Sequence, residues 1–200
     1  MYYSLQILQL LFNNINTMIK IKNHSLIWTM KRIFEKIGVF MRSLKVKILY
    51  HTKSKVNILG KVYLNNPNIK FGNNVTLYPN VHILGQGTIE IGDNVVIGDG
   101  TIVCAAQDIK IGNDSMVAAQ CYIIDLNHGM HLGQNMREQK VSVRPTYIGS
   151  DVWVGCGCKV LAGSNIADGA VIGAGTVICG EVEAKTICYM ERNYIKNSRI

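Results

Sequence analysis

A six-residue repeat of aliphatic residues constrains the fold of this chain more than any other feature. After residue 140 the aliphatic positions follow at a constant spacing of six: Ile148, Val154, Val160, Ile166, Ile172 and Ile178. Earlier in the chain the spacing is also six, but each block restarts twenty residues after the last, at Phe71, Ile91 and Ile111. Fixed hexapeptide periodicity is typical of a parallel β-helix, in which three hexapeptides complete one triangular coil.

A second column accompanies the first, because a small or β-branched residue stands four positions beyond each aliphatic one, as at Val75, Thr101 and Ser164. In a β-helix both columns point inward, and each residue stacks on its counterpart in the next coil, roughly 4.8 Å away. Gly87 and Gln107 break this rule at the same place in successive blocks, just before a two-residue shift in the repeat. No helical period is visible between residues 71 and 182, which argues against a two-layer α/β fold.

Basic charge is concentrated in the first 55 residues. They hold ten Lys or Arg and one acid, Glu35, so their formal charge is +9, while the whole chain carries +8. A nearly neutral body argues against a nucleic-acid-binding protein. The apolar residues of this arm fall at helical spacing: Met30, Ile33, Phe34, Ile37, Phe40, Met41 and Leu44. The pattern predicts an amphipathic helix, which fits either an anionic membrane surface or a cap on the open end of the β-helix.

We therefore predict three segments: a basic amphipathic helical arm at 1–55, a β-helix at 56–185 with a loop at 125–147, and a short C-terminal tail at 186–200, expected to be helical. No apolar run reaches the eighteen or so residues that span a bilayer, and a signal peptide is not expected. The six cysteines form no CxxC pair, which favours free thiols in a reducing compartment. These features together favour a cytoplasmic location, with the arm at the inner face of the membrane as one alternative.

The repeat opens for one long polar insertion, between Ile123 and Ile148, and this insertion carries His128 and His131. Functional residues are often held on loops by a rigid scaffold. The insertion is therefore the first place to look for chemistry.

The chain resembles a known family at these positions. Residues 71–182 resemble the left-handed β-helix of the hexapeptide-repeat acyltransferases, and residues 91–178 resemble the galactoside, maltose and xenobiotic acetyltransferases and the polysaccharide O-acetyltransferases. Besides the repeat, two segments carry the resemblance, Asn127–Gly133 and Asp151–Gly157. The resemblance implies an all-β, left-handed parallel β-helix, a homotrimer, acetyl-coenzyme A as cosubstrate, and His128 as the catalytic base. Imidazole suits this task because its pKa lies near neutral pH.

On the acceptor side, three further residues of the insertion are candidates for substrate binding. Asp125 and Asn127 are placed to orient the imidazole or to contact the acceptor, although both are also ordinary corner residues. His131 is the competing histidine, for which an acceptor-site role, a role as base and simple exposure all remain open.

On the donor side, the resemblance implies that Trp153 flanks the active site and contacts both acceptor and coenzyme A. It also implies that Gly155, Cys156 and Ala174 line the groove for the pantetheine arm. The tail lacks the family's usual basic segment, so Arg192 or Lys196 is expected to meet the cofactor's phosphates in its place.

The sequence thus predicts an acetyl-coenzyme-A-dependent O-acetyltransferase acting on a sugar hydroxyl, in surface polysaccharide biosynthesis, with no metal and no nucleic-acid partner. Three alternatives remain: an N-acetyltransferase acting on an amino nucleotide sugar, a zinc protein of the carbonic-anhydrase-like β-helix type, and a non-catalytic scaffold. A zinc site is disfavoured because His128 and His131 are only three residues apart while His82 lies several coils away.

Overall fold

A computed structural model describes the backbone of residues 2–191 and the side chains of residues 26–191. The chain divides into two compact units, Met1–Met41 and Arg42–Ile200. Helix α1 covers Tyr2–Leu49 and provides most of the first unit and the start of the second. All strands of the described residues belong to the second unit.

The strands are short and follow one another along the second unit. They are β1 Val56–Ile58, β2 Tyr63–Asn65, β3 Ile69–Phe71, β4 Val75–Leu77, β5 His82–Gly85, β6 Thr88–Ile91, β7 Val96–Ile97, β8 Ile102–Ala105, β9 Asp108–Ile111, β10 Met116–Val117, β11 Tyr122–Ile124, β12 Leu126–Asn127, β13 Ser142–Val143, β14 Thr146–Ile148, β15 Trp153–Val154, β16 Lys159–Val160, β17 Asn165–Ile166, β18 Val171–Ile172, β19 Val177–Ile178, β20 Glu181–Val182 and β21 Ile187–Cys188. A 3-10 helix, Met136–Glu138, lies between β12 and β13.

Three parallel sheets form the faces of a triangular β-helix. Face 1 has the order β1-β4-β7-β10-β15-β18-β21, face 2 the order β2-β5-β8-β11-β16-β19, and face 3 the order β3-β6-β9-β14-β17-β20. Val96 pairs with Met116, twenty residues on, whereas Trp153 pairs with Val171, eighteen residues on. The coils are therefore twenty residues long where the sequence blocks restart every twenty residues, and eighteen residues long, or three hexapeptides, where the repeat is a constant six. The predicted β-helix is confirmed.

The core is a set of stacked columns inside the three faces. Aliphatic residues such as Ile91, Ile111 and Ile148 are at most 2% exposed, and each fully buried side chain of this size contributes about 2 kcal/mol to stability. Small polar residues at the second column are buried too. The hydroxyls of Thr101, Ser115 and Ser164 bond the backbone of a neighbouring coil, whereas Thr176 Oγ1 has no hydrogen-bond partner among the described residues. Thr101 Oγ1 donates to the carbonyl of Ala118 at 2.8 Å in this way.

The corner between faces 3 and 1 explains the recurring Asn and Asp residues. Asn74, Asn94, Asp114 and Asp151 all have φ between 54° and 61°, a region that Asn and Asp tolerate better than other residues with a side chain. Their side chains also bond from coil to coil, since Asn74 Nδ2 donates to Asn94 Oδ1 at 3.1 Å and Asn94 Nδ2 to Asp114 Oδ1 at 2.8 Å.

The corner between faces 2 and 3 carries the two-residue shift. By the register of the face 2 strands, Asn66, Gly85, Ala105 and Asp125 stack in one column, which we call the corner column. Its first and last members are buried polar residues. Asn66 accepts a hydrogen bond from the amide of Asn68 at 2.7 Å and donates one to the carbonyl of Gly87 at 3.0 Å.

Asp125 ends the corner column with a fully buried carboxylate. Its two oxygens accept hydrogen bonds from the backbone amides of residues 106, 107 and 108, at 2.7, 2.7 and 2.8 Å. A buried charge persists only when such partners replace water. Asp125 therefore joins the start of the long insertion to the coil beneath it.

The last two turns of α1 cover the first coil of the β-helix. Arg42 Nε donates to the carbonyl of Ile58 at 3.1 Å, and the amide of Ile58 donates to Ser43 Oγ at 3.2 Å. Val46 is 5% exposed, and the ring of Tyr50 meets that of Phe71 edge-on at 5.7 Å. Residues 42–50 thus serve as the cap that a β-helix needs at its open end.

At the other end, the structure corrects the predicted tail. Strand β21 joins face 1 beside β18, so the β-helix continues past residue 185. The expected helix is not present at residues 186–191, and residues 192–200 lie outside the described part of the chain. Within the described residues, no helix combines the length and the apolar character needed to cross a membrane.

We predict that Asp125→Ala will lower the free energy of unfolding by roughly 3 kcal/mol, because a buried side chain is removed and three backbone amides lose their acceptor. Urea denaturation followed by circular dichroism measures the change. Asp99→Ala, at an exposed carboxylate, is the matched control, with an expected change within about 0.5 kcal/mol. Equal losses in the two variants would contradict the role given to Asp125.

Candidate active site

The long insertion leaves the β-helix through a paired neck. Strand β12 runs antiparallel to β13, with Leu126 opposite Val143 and Asn127 opposite Ser142. Below this pair, the amide of Arg144 donates to the carbonyl of Asp125 at 2.8 Å. Thr146 Oγ1 donates to the carbonyl of Ile124 at 2.9 Å. The neck therefore holds the first residues of the insertion rigidly to the scaffold.

His128 is the first residue beyond the paired part of this neck. Its side chain is exposed, and within the described residues its imidazole has no hydrogen-bond or ion-pair partner. An imidazole held at a fixed point with both nitrogens open to solvent can accept a proton from a hydroxyl bound beside it. The base role of His128 stays a prediction that this geometry allows.

Two of the three other acceptor-side candidates, Asp125 and Asn127, differ in their surroundings. Asp125 is fully buried, and its carboxylate oxygens bond the amides of 106–108, so its side chain reaches neither the imidazole nor a bound acceptor. The predicted substrate contact at Asp125 is thus replaced by a structural one. Asn127 keeps an exposed side chain beside His128 and remains a candidate for acceptor binding.

A glutamine that the sequence did not single out organises the outer part of the insertion. Gln139 Oε1 accepts from the amide of His131 at 2.8 Å, while its Nε2 donates to the carbonyls of His131 at 2.9 Å and Gln134 at 3.0 Å. Gly129 lies against the same side chain, since a Cβ at residue 129 would stand 2.6 Å from Gln139 Cβ. His131 is exposed and is held through its backbone.

The donor-side residues lie along face 1 and its corner with face 2. Trp153 stands on β15 with its side chain 51% exposed, between Met116 and Val171 of the neighbouring coils. By the same register, Cys156 lies between Ala119 below and Ala174 above. This small-residue corner, residues 118–119, 155–157 and 173–175, is a surface along which an extended chain can approach the backbone.

Gly155 also has a structural role, and its predicted contact with the pantetheine arm stays a prediction. It is buried, and a Cβ at this position would stand 2.7 Å from both the amide of Ala174 and the carbonyl of Ile172. The glycine is required because the two coils approach closely here. Arg192 and Lys196, the alternative predicted contacts for the cofactor's phosphates, lie outside the described residues.

Within one chain, the two halves of the candidate site lie at different corners. His128 leaves the corner between faces 2 and 3, whereas the small-residue corner lies between faces 1 and 2. A face is about five residue steps wide, roughly 16 Å. The histidine and the donor-side residues are therefore separated by the width of face 2.

The cysteines of the described residues are free thiols of two kinds. Burial raises the pKa of the Cys121 thiol to about 11, and it also raises the pKa of Cys104 and of Cys158. Cys156 and Cys179 are exposed. The buried thiols are therefore poor nucleophiles near neutral pH, because the thiolate is the reactive form.

Among the residues that the structure describes, no group of three or more His, Cys, Asp or Glu is arranged to hold a metal ion. His82, the distant histidine, stacks on the ring of Tyr63 with the ring centres 4.2 Å apart.

Known proteins with similar sequences and folds agree with this architecture. The profile of the family described as "Bacterial transferase hexapeptide (six repeats)" matches residues 145–180. WbbJ of Escherichia coli K12, named for a proposed role as an O-acetyl transferase in lipopolysaccharide biosynthesis, is 30% identical over 135 residues, which cover 62% of this chain and 68% of WbbJ.

Rv3034c of Mycobacterium tuberculosis, named for an inferred acetyltransferase activity, is 34% identical over 98 residues, 48% of this chain and 33% of that protein. The chain thus spans a third of one relative and about two thirds of the other. Among solved structures, AntD of Bacillus cereus, an N-acyltransferase in complex with dTDP and 3-hydroxybutyryl-CoA, superposes with a TM-score of 0.61 at 19% identity, over 72% of this chain and 80% of AntD. With its stacked hexapeptide coils and its similarity to WbbJ, the chain belongs to the hexapeptide-repeat transferase family.

Proposed function

We propose that the protein transfers an acetyl group from acetyl-coenzyme A to a sugar hydroxyl, with His128 as the general base. The observation that carries the proposal is the exposed imidazole of His128, which has no partner within the described part of the chain and stands at the end of a neck held by Asp125, Arg144 and Thr146. A base must be held in place and also remain accessible, and His128 meets both conditions.

In this mechanism acetyl-coenzyme A supplies the acetyl group as a thioester. His128 takes the proton of the acceptor hydroxyl as the hydroxyl oxygen bonds to the acetyl carbon and the carbon–sulfur bond breaks. The imidazolium then returns that proton to the departing sulfur, so the products are the acetyl ester and the free thiol. We expect Trp153, Cys156 and Ala174 to contact the donor, because Cys156 and Ala174 line the small-residue corner and Trp153 stands beside it on face 1.

The relatives support a choice of acceptor class. WbbJ, which is named for a proposed role in lipopolysaccharide biosynthesis, supports a saccharide hydroxyl as the acceptor. AntD is named as an N-acyltransferase, and an amine acceptor would use the same base chemistry, but its likeness at 19% identity supports the fold alone. We therefore favour O-acetylation in surface polysaccharide synthesis.

We further propose that the working unit is a homotrimer, because the three outer faces differ in polarity. Face 3 presents a charged ladder, in which Lys70 Nζ lies 2.7 Å and Lys110 Nζ 3.6 Å from the carboxylate of Glu90. Face 1 presents an apolar row instead: Val96, Met116, Trp153, Val171 and Ile187. A face of this kind is suited to contact with another protein surface.

Face 2 is also largely apolar on its outside, with Ile102, Tyr122 and Leu84 half-buried. Three-fold packing of face 1 against face 2 of the next copy would cover both apolar faces and leave face 3 in water. Such a contact would also bring Trp153 of one copy toward face 2 of its neighbour, whose edge carries His128. The separation of the two half-sites within one chain supports this arrangement.

His128→Ala is expected to lower kcat by about 10²- to 10⁴-fold, because the acceptor proton loses its base. Thiol release from acetyl-coenzyme A, measured over a panel of sugars, amino sugars and nucleotide sugars, gives the rate and identifies the acceptor class. Binding of coenzyme A, measured by calorimetry, should change by less than about twofold, since the proposed role of His128 is to take the acceptor proton and not to bind the donor.

His131→Ala is the matched control and should retain activity within about threefold, because that side chain is exposed on the outer loop. Near-normal turnover in His128→Ala, with loss in His131→Ala, would transfer the base role to His131. Turnover on amines but not on hydroxyls would replace O-acetylation by N-acetylation.

Met116→Glu is expected to convert the trimer to monomers and to abolish most of the activity, because it places a charge in the apolar row of face 1, where Met116 is 51% exposed in the single chain. Light scattering after size exclusion measures the mass. Asn165→Glu puts the same charge on face 3 and should leave mass and activity unchanged. A fully active wild-type monomer would refute the trimer.

Thiol labelling tests whether a cysteine carries the acetyl group. With iodoacetamide near neutral pH, we expect Cys179 to be labelled completely before Cys121 reacts, since burial raises the pKa of Cys121 to about 11 and its thiolate is scarce. Peptide mass spectrometry reads the sites, and urea-denatured protein provides the fully labelled control. An acetyl adduct on any cysteine during turnover would contradict direct transfer.

A further inference from the structure

Helix α1 carries an apolar stripe that remains exposed. Its members, Leu26, Ile27, Met30, Ile33, Phe34, Ile37, Phe40, Met41, Leu44 and Ile48, are between 38% and 64% exposed. They recur at i, i+3, i+4 and i+7, so they share one side of the helix, roughly 140° wide at 100° per residue.

Within the second unit, packing on the first coil does not cover the end of the stripe. Val46 is the buried helix residue there, whereas Leu44 and Ile48 are 38% and 62% exposed. At 100° per residue, Val46 lies about 200° around the helix from Leu44, which is the opposite side. The cap formed by residues 42–50 therefore uses one side of the helix and leaves Leu44 and Ile48 exposed.

Basic side chains border the stripe on both sides. Lys31 and Lys45 follow one edge, and Lys36 and Lys47 follow the other, when the helix is drawn at 100° per residue. Lys31 Nζ also lies 5.1 Å from the ring centre of Trp28, near the start of the stripe. Long basic side chains beside an apolar stripe can lay their stems on the apolar surface while the charges reach anionic headgroups.

We propose that α1 docks in the plane of an anionic lipid surface through this stripe. The apolar residues enter the boundary between headgroups and acyl chains, and the bordering lysines pair with lipid phosphates. The excess of basic residues favours this partner, since residues 1–55 hold ten Lys or Arg and Glu35 as their one acid.

A second copy of α1 is a poorer partner for the same stripe. Ile27, Phe34, Met41 and Ile48 make the stripe wider than the two-column seam of a coiled coil. Adjacent arms would also bring together several charges of one sign, with no acidic residue at the bordering positions to pair with them. The charge of the arm thus complements an anionic surface and opposes a copy of itself.

Vesicle sedimentation of the full-length protein tests the proposal without any measurement of catalysis. We expect binding to phosphatidylcholine vesicles with about 30% phosphatidylglycerol, and at least tenfold weaker partitioning onto pure phosphatidylcholine. Raising the salt from about 0.1 to about 0.5 M should weaken binding to the anionic vesicles severalfold, because the charges are screened. Equal partitioning onto the two vesicle types would overturn the proposal.

Two double variants separate the apolar and the basic contributions. Phe34→Gln with Phe40→Gln keeps the charge and the helix propensity but removes two exposed rings, and we expect at least tenfold weaker partitioning. Its control, Tyr78→Gln with Leu132→Gln, removes two exposed apolar side chains of the second unit and should bind as wild type.

Lys36→Glu with Lys47→Glu should abolish the preference for anionic vesicles. The control, Lys70→Glu with Lys185→Glu, makes the same change in net charge at residues outside α1 and should keep that preference. Wild-type partitioning by both α1 variants would overturn the proposal. Loss of oligomeric mass in Phe34→Gln with Phe40→Gln, without vesicle binding by the wild type, would instead assign the stripe to contact between copies.

Discussion

The structure depends on hydrogen bonding between coils that are in register. Each strand of a face pairs in parallel with the strand one coil away, so a residue such as Met116 is positioned by Val96 below it and Trp153 above it. This condition admits only residues that can stack on their neighbours. It selects aliphatic side chains inside, residues tolerant of positive φ at the corner between faces 3 and 1, and glycine where coils meet most closely, as at Gly155. The scaffold is rigid because every coil repeats these contacts.

The same condition explains why the β-helix could be predicted from sequence and why parts of the site could not. A constraint that recurs every six residues leaves a period that can be counted, and the positions at Ile91, Ile111 and Ile148 follow it directly. The position of Asp125 follows the twenty-residue spacing of Gly85 and Ala105, but its role leaves no repeated signal, because its carboxylate bonds the amides of 106–108 only where the insertion begins. The sequence alone shows Asp125 three positions before His128, and that spacing predicts an active-site role. Gln139 left no signal, since its contacts with His131 and Gln134 depend on the path of the loop. Strand β21, which extends the β-helix past the predicted end at residue 185, is not predicted from the sequence because the hexapeptide pattern weakens there.

The insertion that carries the candidate base leaves the β-helix at the corner between faces 2 and 3. Along this corner column the chain first bulges by two residues, at Gly85 and Ala105, and then opens into the full insertion at Asp125. A long loop at the surface would ordinarily have a large conformational entropy. Here Asp125, Arg144 and Thr146 fix both strands of its base, so the freedom that remains lies beyond Asn127. The candidate base therefore stands at the boundary between a fixed neck and an exposed loop, where its position is set but its imidazole stays accessible.

The three outer faces of the β-helix differ in polarity. Face 3 pairs its charges among Lys70, Glu90 and Lys110 and needs no partner other than water, because such exposed pairs gain little from burial. Faces 1 and 2 present apolar rows that water does not satisfy, and each of them borders one half of the candidate site. The proposed trimer and the proposed chemistry thus depend on the same surfaces. One contact between copies would cover Met116 and Trp153, and the same contact would bring a donor corner to the histidine of another copy.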